Sequence, residues 1–175
     1  TAQQSTFIPT SNNLSTFQEL WNAVEIDEQS VMLPRGLAID AGGIGKGLAA
    51  DIMAEQAMKN GVRGVVVNAG GEVAVRGESA LDEGWSVGVE NPFDENHILT
   101  TVYLKTGGLA TSAPTGWVVD NAHHIIDPRT GESASNSIAQ ATLLCARTVD
   151  AEVLAKMCLL MPIHESLEKV ESLGA

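Results

Sequence analysis

The stretch Asp40-Ala-Gly-Gly-Ile-Gly-Lys-Gly47 carries the strongest fold signal in this chain. Its four glycines follow a short apolar segment and lead into a predicted helix. Glycine allows unhindered backbone approach, and the start of a helix offers unpaired N–H groups to an anion, to which Lys46 adds a positive charge. The spacing matches neither the P-loop nor the dinucleotide-binding fingerprint. Two interpretations stay open, an anion-binding loop and a glycine turn that packs a helix on a strand.

The residues after this loop predict a helix followed by a β-hairpin. Leu48, Ile52 and Met53 fall on one helical face, and Asn60-Gly61 ends the helix. The hairpin turns at Asn68-Ala-Gly-Gly-Glu72, between two apolar runs. This turn is either a plain hairpin that needs positive φ angles, or a place where Gly70 and Gly71 approach a flat ligand while Asn68 orients a neighbouring loop.

The rest of the chain alternates short apolar strands with two more helices. The predicted strands are Ser30–Pro34, Val65–Val67, Val73–Val75, Trp85–Val89, His97–Leu104 and Ile138–Cys145, and the predicted helices are Val149–Leu160 and His164–Leu173. We therefore expect an α+β fold with a mostly antiparallel sheet packed with helices. Residues 1–30 are a polar lead-in, and residues 31–175 form a single domain.

Charge limits the partners of the chain. The 175 residues carry a formal net charge of −12, which disfavours long-range attraction to nucleic acid or to an anionic membrane. A bound phosphate must therefore be held locally. No apolar run approaches the roughly 20 residues that span a bilayer, so we expect this chain to be soluble. Cys145 and Cys158 lie in apolar runs and are expected to be buried free thiols, with a disulfide as the alternative.

Two further stretches carry groups suited to chemistry. In His123-His-Ile-Ile-Asp-Pro-Arg-Thr-Gly131, a histidine near a carboxylate is suited to activating a hydroxyl, although an ordinary turn explains Asp127, the proline and the glycine. It does not explain the paired histidines. Thr111 and Ser112, in Leu109-Ala-Thr-Ser112, present hydroxyls to a phosphate or bond only to their own backbone.

Taken in order, the glycine loop, the hairpin turn, Leu109–Ser112, His124–Gly131 and Ala151-Glu-Val-Leu-Ala155 resemble the FAD:protein FMN transferases, the ApbE-like family. The resemblance runs from about Val31 to Leu160 and covers the C-terminal part of the family. It implies an ApbE-like, T-fold-like α+β domain. It also implies a Mg²⁺-dependent reaction that splits FAD, moves FMN onto a Thr or Ser hydroxyl of an acceptor flavoprotein and releases AMP. Relatives are often exported bacterial proteins, so the full-length protein is expected outside the cytoplasm or anchored to a membrane.

The resemblance also implies roles for individual residues. His124 would assist the acceptor hydroxyl, with Asp127 positioning it. The Gly43 carbonyl and Glu152 would hold the metal, with Asp150 as an alternative source of a carboxylate. The residues implied to lie against FAD are Asp40, Gly42, Gly43, Lys46, Asn68, Gly70, Gly71, Thr111, Ser112 and Ile125.

The chain departs from the family pattern at the expected metal site. Glu152 stands where the family has Asp, and Lys156 stands where it has a Thr ligand. An ammonium cannot coordinate a metal, and the two residues at i and i+4 also fit a plain surface ion pair. Two alternatives to a transferase follow. One is a flavin-binding module that does not transfer, and the other is a domain without a complete site, whose exposed apolar surface makes it self-associate into homo-oligomers.

Overall fold

The computed structural model describes residues 19–116, 118–119 and 122–175, and its centre is a four-stranded antiparallel sheet. The strands are β1 (Glu25–Ile26), β2 (Val31–Met32), β3 (Gly64–Ala69), β4 (Glu72–Gly77), β5 (Trp85–Asn91), β6 (Asp94–Leu104), β7 (Gly107–Ser112), β8 (Val118–Val119), β9 (Ala122–His123) and β10 (Ala141–Cys145). The helices are α1 (Gly45–Lys59), α2 (Thr148–Cys158) and α3 (Ile163–Ser172), besides a helical turn at residues 19–22. The central sheet has the order β10-β7-β4-β3. The predicted α+β class and antiparallel sheet are confirmed.

The hairpin of β3 and β4 forms where it was predicted. Ala69 pairs with Glu72, and between them Gly70 and Gly71 have φ angles of 69° and 105°. Type I′ hairpin turns require positive φ at both central residues, which only glycine adopts at no steric cost. The turn therefore needs its two glycines for conformation alone.

Strand β7 was missed by the sequence analysis. Residues 109–112 were read as hydroxyls near a glycine turn, whereas Gly107–Ser112 pairs with both β4 and β10. The two glycines that begin this strand lie against different neighbours, Gly107 against the Cys145 carbonyl of β10 and Gly108 against the start of α2. A Cβ at Gly108 would lie only 2.3 Å from the Cα of Thr148, so only glycine lets α2 approach β7 this closely.

Helices α1 and α2 lie side by side on one face of the central sheet. Helix α1 buries its small residues Ala50 and Ala54 against the sheet. The larger Leu48, Ile52 and Met53 are 39–56% exposed, so the apolar face read from the sequence is not the buried one. Close packing on the sheet and on α2 selects the small residues, and it leaves the larger ones pointing away.

Two further apolar clusters complete the described core. The opposite face of the sheet packs on the hairpin of β5 and β6, through Val73, Val75, Leu109, Val89 and Leu104. At the other end, Ile125, Ala141, Leu154, Cys158, Leu159 and Val170 join α2, α3 and β10. Helix α2 therefore contributes Leu154 and Cys158 to the core.

The first described residues cross the expected boundary between lead-in and domain. Strand β1 belongs to the expected lead-in of residues 1–30, and it pairs with β2, which belongs to the expected domain. Residues 1–18 of the lead-in lie outside the described part of the chain. Both cysteines are free, as expected, but only Cys158 is buried and Cys145 is half-buried. Burial raises the pKa of each thiol. Within the described residues, no helix is long and apolar enough to cross a membrane.

Candidate functional site

The glycine loop folds into a turn that delivers the first amides of α1. Asp40 Oδ1 accepts a hydrogen bond from the Gly42 N–H at 2.6 Å, and this bond stabilises a tight turn within the glycine loop. Ile44 occupies the N-cap position, and its apolar side chain cannot cap the helix. The N–H groups of the first helical turn are those that need an outside acceptor. Two of these groups already have acceptors, because the Gly45 N–H donates to the Ala41 carbonyl at 2.6 Å and the Gly47 N–H donates to Glu152.

Lys46 joins the glycine loop to the hairpin. Its Nζ lies 2.7 Å from Glu72 Oε2 and donates to the Gly70 carbonyl at 3.3 Å. Glu72 is 1% exposed, whereas the lysine side chain is 52% exposed. Asn68 Oδ1 accepts from the Gly71 N–H at 2.8 Å, so this side chain stabilises its own turn. The structure thus brings two of the predicted motifs together.

Glu72 is a site residue that the sequence analysis did not propose. Its Oε2 accepts no hydrogen bond of good geometry among the described residues, so the ion pair with Lys46 is its main stabilisation. A buried carboxylate is costly without a paired cation. The signal in the sequence was a charged residue directly after a glycine turn, at the start of an apolar strand.

Glu152 and Lys156 bring α2 to the same loop. Glu152 is fully buried, and its Oε2 accepts from the Gly47 N–H at 2.7 Å. Its Oε1 accepts from Lys156 Nζ at 3.0 Å. The lysine side chain is 21% exposed, and its Cδ lies 3.7 Å from where a Cβ on Gly43 would be. The ion pair exists, but the interpretation of a surface pair is wrong because the carboxylate is inside.

The donors present at this point do not fit Mg²⁺. Magnesium requires near-octahedral oxygen ligands, whereas Glu152 accepts one hydrogen bond on each oxygen, and one of the donors is the Lys156 ammonium, whose charge opposes a second cation. Asp150 is exposed in the first turn of α2, where its charge adds to burial in raising the pKa of Cys145. In the part of the chain that the structure describes, no three His, Cys, Asp or Glu residues are grouped to hold a metal ion.

Asp51 joins α1 to the start of α2 and to β4. It is 2% exposed, and its carboxylate accepts from the amides of Thr148 and Val149 at 3.1 and 3.0 Å. Arg76 Nη2 donates to the same carboxylate at 2.9 Å. Burial would raise the pKa of Asp51, but the amide bonds and the charge of Arg76 outweigh it and lower that pKa. An aspartate of α1 thereby caps the N-terminus of α2.

The predicted hydroxyl residues lie on a strand of the central sheet. Thr111 Oγ1 lies 2.9 Å from Thr142 Oγ1 on the neighbouring strand, where the two residues are register partners. Ser112 is 7% exposed at the end of β7. Both hydroxyls therefore belong to the sheet rather than to a turn.

The two adjacent histidines have different surroundings. His123 Nε2 lies 2.9 Å from the Ala134 carbonyl, and its Nδ1 accepts from the Ile125 N–H at 3.3 Å. This arrangement places the ring hydrogen of neutral His123 on Nε2. His124 is exposed, and Ile125 is buried in the core. The sequence could not separate the two histidines, but the structure assigns His123 to holding the loop.

Asp127 is paired with Arg129. The Arg129 guanidinium donates to both carboxylate oxygens, at 2.7 to 3.2 Å, and its backbone N–H donates to Oδ1 at 2.9 Å. The hydrogen bonds from Arg129 lower the pKa of Asp127. Arg129 Nη2 also donates to the Leu160 carbonyl at 2.7 Å, beyond the end of α2. The histidine loop is thus attached just beyond the last turn of α2, the turn whose Lys156 lies beside Gly43 of the glycine loop.

An antiparallel sheet covered on one face by two helices, with a glycine loop before α1 and two lysine–glutamate pairs beside that loop, defines an α+β domain. The family model described as the ApbE family matches residues 1–175, and the chain belongs to this family. The resemblance read from the sequence is confirmed.

Relatives with similar sequences carry one function name. The FAD:protein FMN transferase of Salmonella typhimurium is 28% identical over 121 residues, which are 66% of this chain and 35% of that protein. The FAD:protein FMN transferase of Vibrio cholerae is 27% identical over 141 residues, 78% of this chain and 42% of that protein. The chain thus spans less than half the length of these relatives.

Solved structures agree with the fold. The ApbE protein of Thermotoga maritima superposes with a TM-score of 0.81 at 27% identity, covering 99% of this chain and 60% of that one. The flavin transferase ApbE of Vibrio cholerae gives a TM-score of 0.74 at 23% identity, covering 98% of this chain and 56% of that one. The second comparison supports the fold alone.

Proposed function

We propose that this chain provides part of the active site of an FAD:protein FMN transferase. In the proposed reaction, a Thr or Ser hydroxyl of an acceptor flavoprotein attacks the FMN phosphorus of FAD. The new ester bond forms as the phosphoanhydride bond breaks, AMP leaves with the bridging oxygen, and the hydroxyl proton passes to a base. The function names of the relatives support this proposal.

One observation carries the proposal beyond the names. The glycine loop, the hairpin turn and α2 meet around the N-terminus of α1, where Lys46 reaches from the loop to the hairpin turn and the stem of Lys156 lies beside Gly43. Backbone amides and cations at a helix N-terminus suit a diphosphate, whose charge increases on the leaving group as the bond breaks. In the proposal, Asp40, Gly42 and Gly43 lie against FAD, and Gly70 and Gly71 line the same opening.

The histidine loop supplies the proposed base. His124 is exposed and follows His123, whose ring is fixed to the backbone of its own loop. We assign to His124 the role of the base that takes the proton from the acceptor hydroxyl. Asp127 is a positioning residue, because its carboxylate and Arg129 hold the turn that carries His124.

The remaining residues expected to lie against FAD act indirectly in this proposal, by holding the surrounding structure in place. Asn68, Thr111, Ser112 and Ile125 are bonded or buried within the fold, so they shape the loops that face FAD. The expected Mg²⁺ finds no fitting donor set among the described residues, and the proposed roles of these residues involve no metal. The resemblance alone supports an extracytoplasmic or membrane-anchored place for the full-length protein.

Flavin labelling tests the transferase proposal. The protein is incubated with FAD and a candidate acceptor flavoprotein, flavin fluorescence of the denatured acceptor is read in a gel, and AMP is measured by chromatography. Labelled acceptor and AMP in equal amounts are expected. His124→Ala should abolish both, whereas the control His164→Ala, an exposed histidine on α3, should change neither. Equal labelling by the two variants would contradict the role of His124.

A second function is favoured by the Lys156–Glu152 pair. A module that holds FAD without transferring it needs positive charge to bind the diphosphate, but it needs no metal to cleave a bond. The Glu152 oxygens accept hydrogen bonds from the Gly47 N–H and from the Lys156 ammonium. The same assay distinguishes it, since FAD would bind stoichiometrically while no AMP appears.

A further inference from the structure

We propose that Lys156 is the resident cation of this site, occupying the place beside Gly43 and Glu152 where the resemblance puts a metal ion. Its ammonium keeps divalent cations away from Glu152 and itself faces the diphosphate of the nucleotide. The metal-excluding part stands on the geometry alone. The diphosphate part rests on the proposed function.

The contacts of Glu152 leave little for a metal. The carboxylate is fully buried and bonds the first turn of α1 through Gly47 and the ammonium of Lys156. A divalent ion at the second oxygen would have to share that oxygen with the ammonium or displace it. The displaced lysine would remain close, because its stem runs from α2 along the glycine loop at Gly43. The lysine and the divalent ion would then repel each other as like charges, most strongly where water is scarce.

The ion pair is arranged so that its positive end faces the solvent. Glu152 has no exposed surface and the Lys156 side chain is 21% exposed. The pair of Glu72 and Lys46 repeats this arrangement, with exposures of 1% and 52%. Each carboxylate lies inside and each ammonium lies nearer the surface, so an anion approaching the loop from solvent meets the cations first. Two lysines thereby supply fixed positive charge that a bound metal would otherwise supply.

Paramagnetic broadening by Mn²⁺ tests metal exclusion without any assay of activity. The amide of Gly47, bonded to Glu152, reports the site in a ¹H–¹⁵N spectrum. In the wild type, Mn²⁺ should broaden this resonance no more than the amides of exposed acidic loops. In Lys156→Thr, which frees one carboxylate oxygen, selective broadening should appear at a Mn²⁺ concentration at least tenfold lower.

Matched variants separate charge from structure. Lys156→Arg keeps a cation and should exclude Mn²⁺ like the wild type. Lys59→Thr removes an exposed lysine at the other end of α1 and should also behave like the wild type. If Lys156→Thr fails to give a dispersed spectrum, Lys156→Met, which keeps an apolar stem, replaces it with the same expectation.

Each outcome decides the metal part of the proposal. Selective Mn²⁺ broadening of Gly47 in the wild type, at the concentration that acts on the variant, would overturn it. Broadening absent from the wild type and from both neutral variants would also overturn it, because Lys156 would then not be what excludes the ion.

The diphosphate part has its own readout. FAD titrated into the wild type, followed by fluorescence anisotropy at matched ionic strength, should give the same Kd in Mg²⁺ as in EDTA. Lys156→Met should raise that Kd about tenfold in EDTA. A Kd that falls tenfold with Mg²⁺ would overturn the cation role. Absence of FAD binding would overturn the proposed function and the diphosphate part, while the Mn²⁺ result would still decide metal exclusion.

Discussion

Replacing Asp51 by alanine is expected to destabilise the protein more than any substitution on the exposed face of α1. The carboxylate is 2% exposed and bonds two amides of α2 as well as Arg76. Loss of a cap costs about 1 kcal/mol. Leaving a buried charge without its partner costs about 3–5 kcal/mol. The cost for Arg76 should lie at the lower end of this range, because Arg76 keeps its hydrogen bonds to two carbonyls. The sum is about 4 kcal/mol.

Thermal and urea unfolding measure this loss. For a chain of this length, about 4 kcal/mol corresponds to a Tm lowered by about 8–16 °C. Glu55→Ala is the matched control, because Glu55 is an exposed carboxylate on the same helix, and its effect should stay within about 0.5 kcal/mol. An Asp51→Ala effect as small as that of the control would refute the reasoning.

The effect of Asp51→Ala on the free energy of unfolding should depend on pH, and the pKa of Asp51 gives the direction. The folded-state pKa of Asp51 lies below its unfolded value, which is about 3.9. The stabilisation by this carboxylate is therefore present in full above the unfolded pKa, and it is lost as the pH falls through the lower, folded pKa. The difference in unfolding free energy between the wild type and Asp51→Ala should be constant from pH 5 to 8 and shrink below about 4. A difference that grows on acidification would contradict this assignment.

Two other substitutions test the packing and the loop. Gly108→Ala places a Cβ 2.3 Å from the Cα of Thr148, and this clash with backbone should lower the unfolding free energy by about 1–3 kcal/mol or prevent folding, as measured by urea titration. A neutral effect would show that α2 does not lie this close to β7. His123→Ala removes two hydrogen bonds that hold the loop, so we expect a loss of about 1–2 kcal/mol with partial retention of flavin labelling, whereas His124→Ala should abolish labelling. Abolished labelling in His123→Ala with unchanged stability would reverse the roles of the two histidines.

Much of the fold could be predicted because local pattern and global structure agree. The hairpin turn at Gly70 and Gly71 combines a strong turn signal with flanking apolar residues, and it formed as predicted. Strand β7 could not be predicted in this way. Its Gly108 is needed for the approach of α2, a contact with Thr148 that joins residues far apart in the sequence. The buried face of α1 was hidden for the same reason, since its partners are the sheet and α2 rather than its own neighbours.

The candidate site was predictable at the level of motifs but not of pairings. The glycine loop and Lys46 were expected at one site, and they do meet the hairpin. The buried carboxylates Glu72 and Asp51 were missed, because a charged residue in an apolar segment shows its partner only when the fold is known. The i,i+4 spacing of Glu152 and its lysine predicted an ion pair, but spacing alone does not tell a surface pair from a buried one.

The most direct test of the account is whether FAD binds at the glycine loop through its diphosphate. FAD is titrated by fluorescence anisotropy into the wild type, Lys46→Gln and the control Lys59→Gln, which changes the opposite end of α1. Loss of one charge-assisted contact of about 1.5 kcal/mol should raise the Kd about tenfold in Lys46→Gln and leave it unchanged in Lys59→Gln. Equal affinity in all three proteins, or binding of riboflavin as tight as that of FAD, would contradict a diphosphate site at this loop.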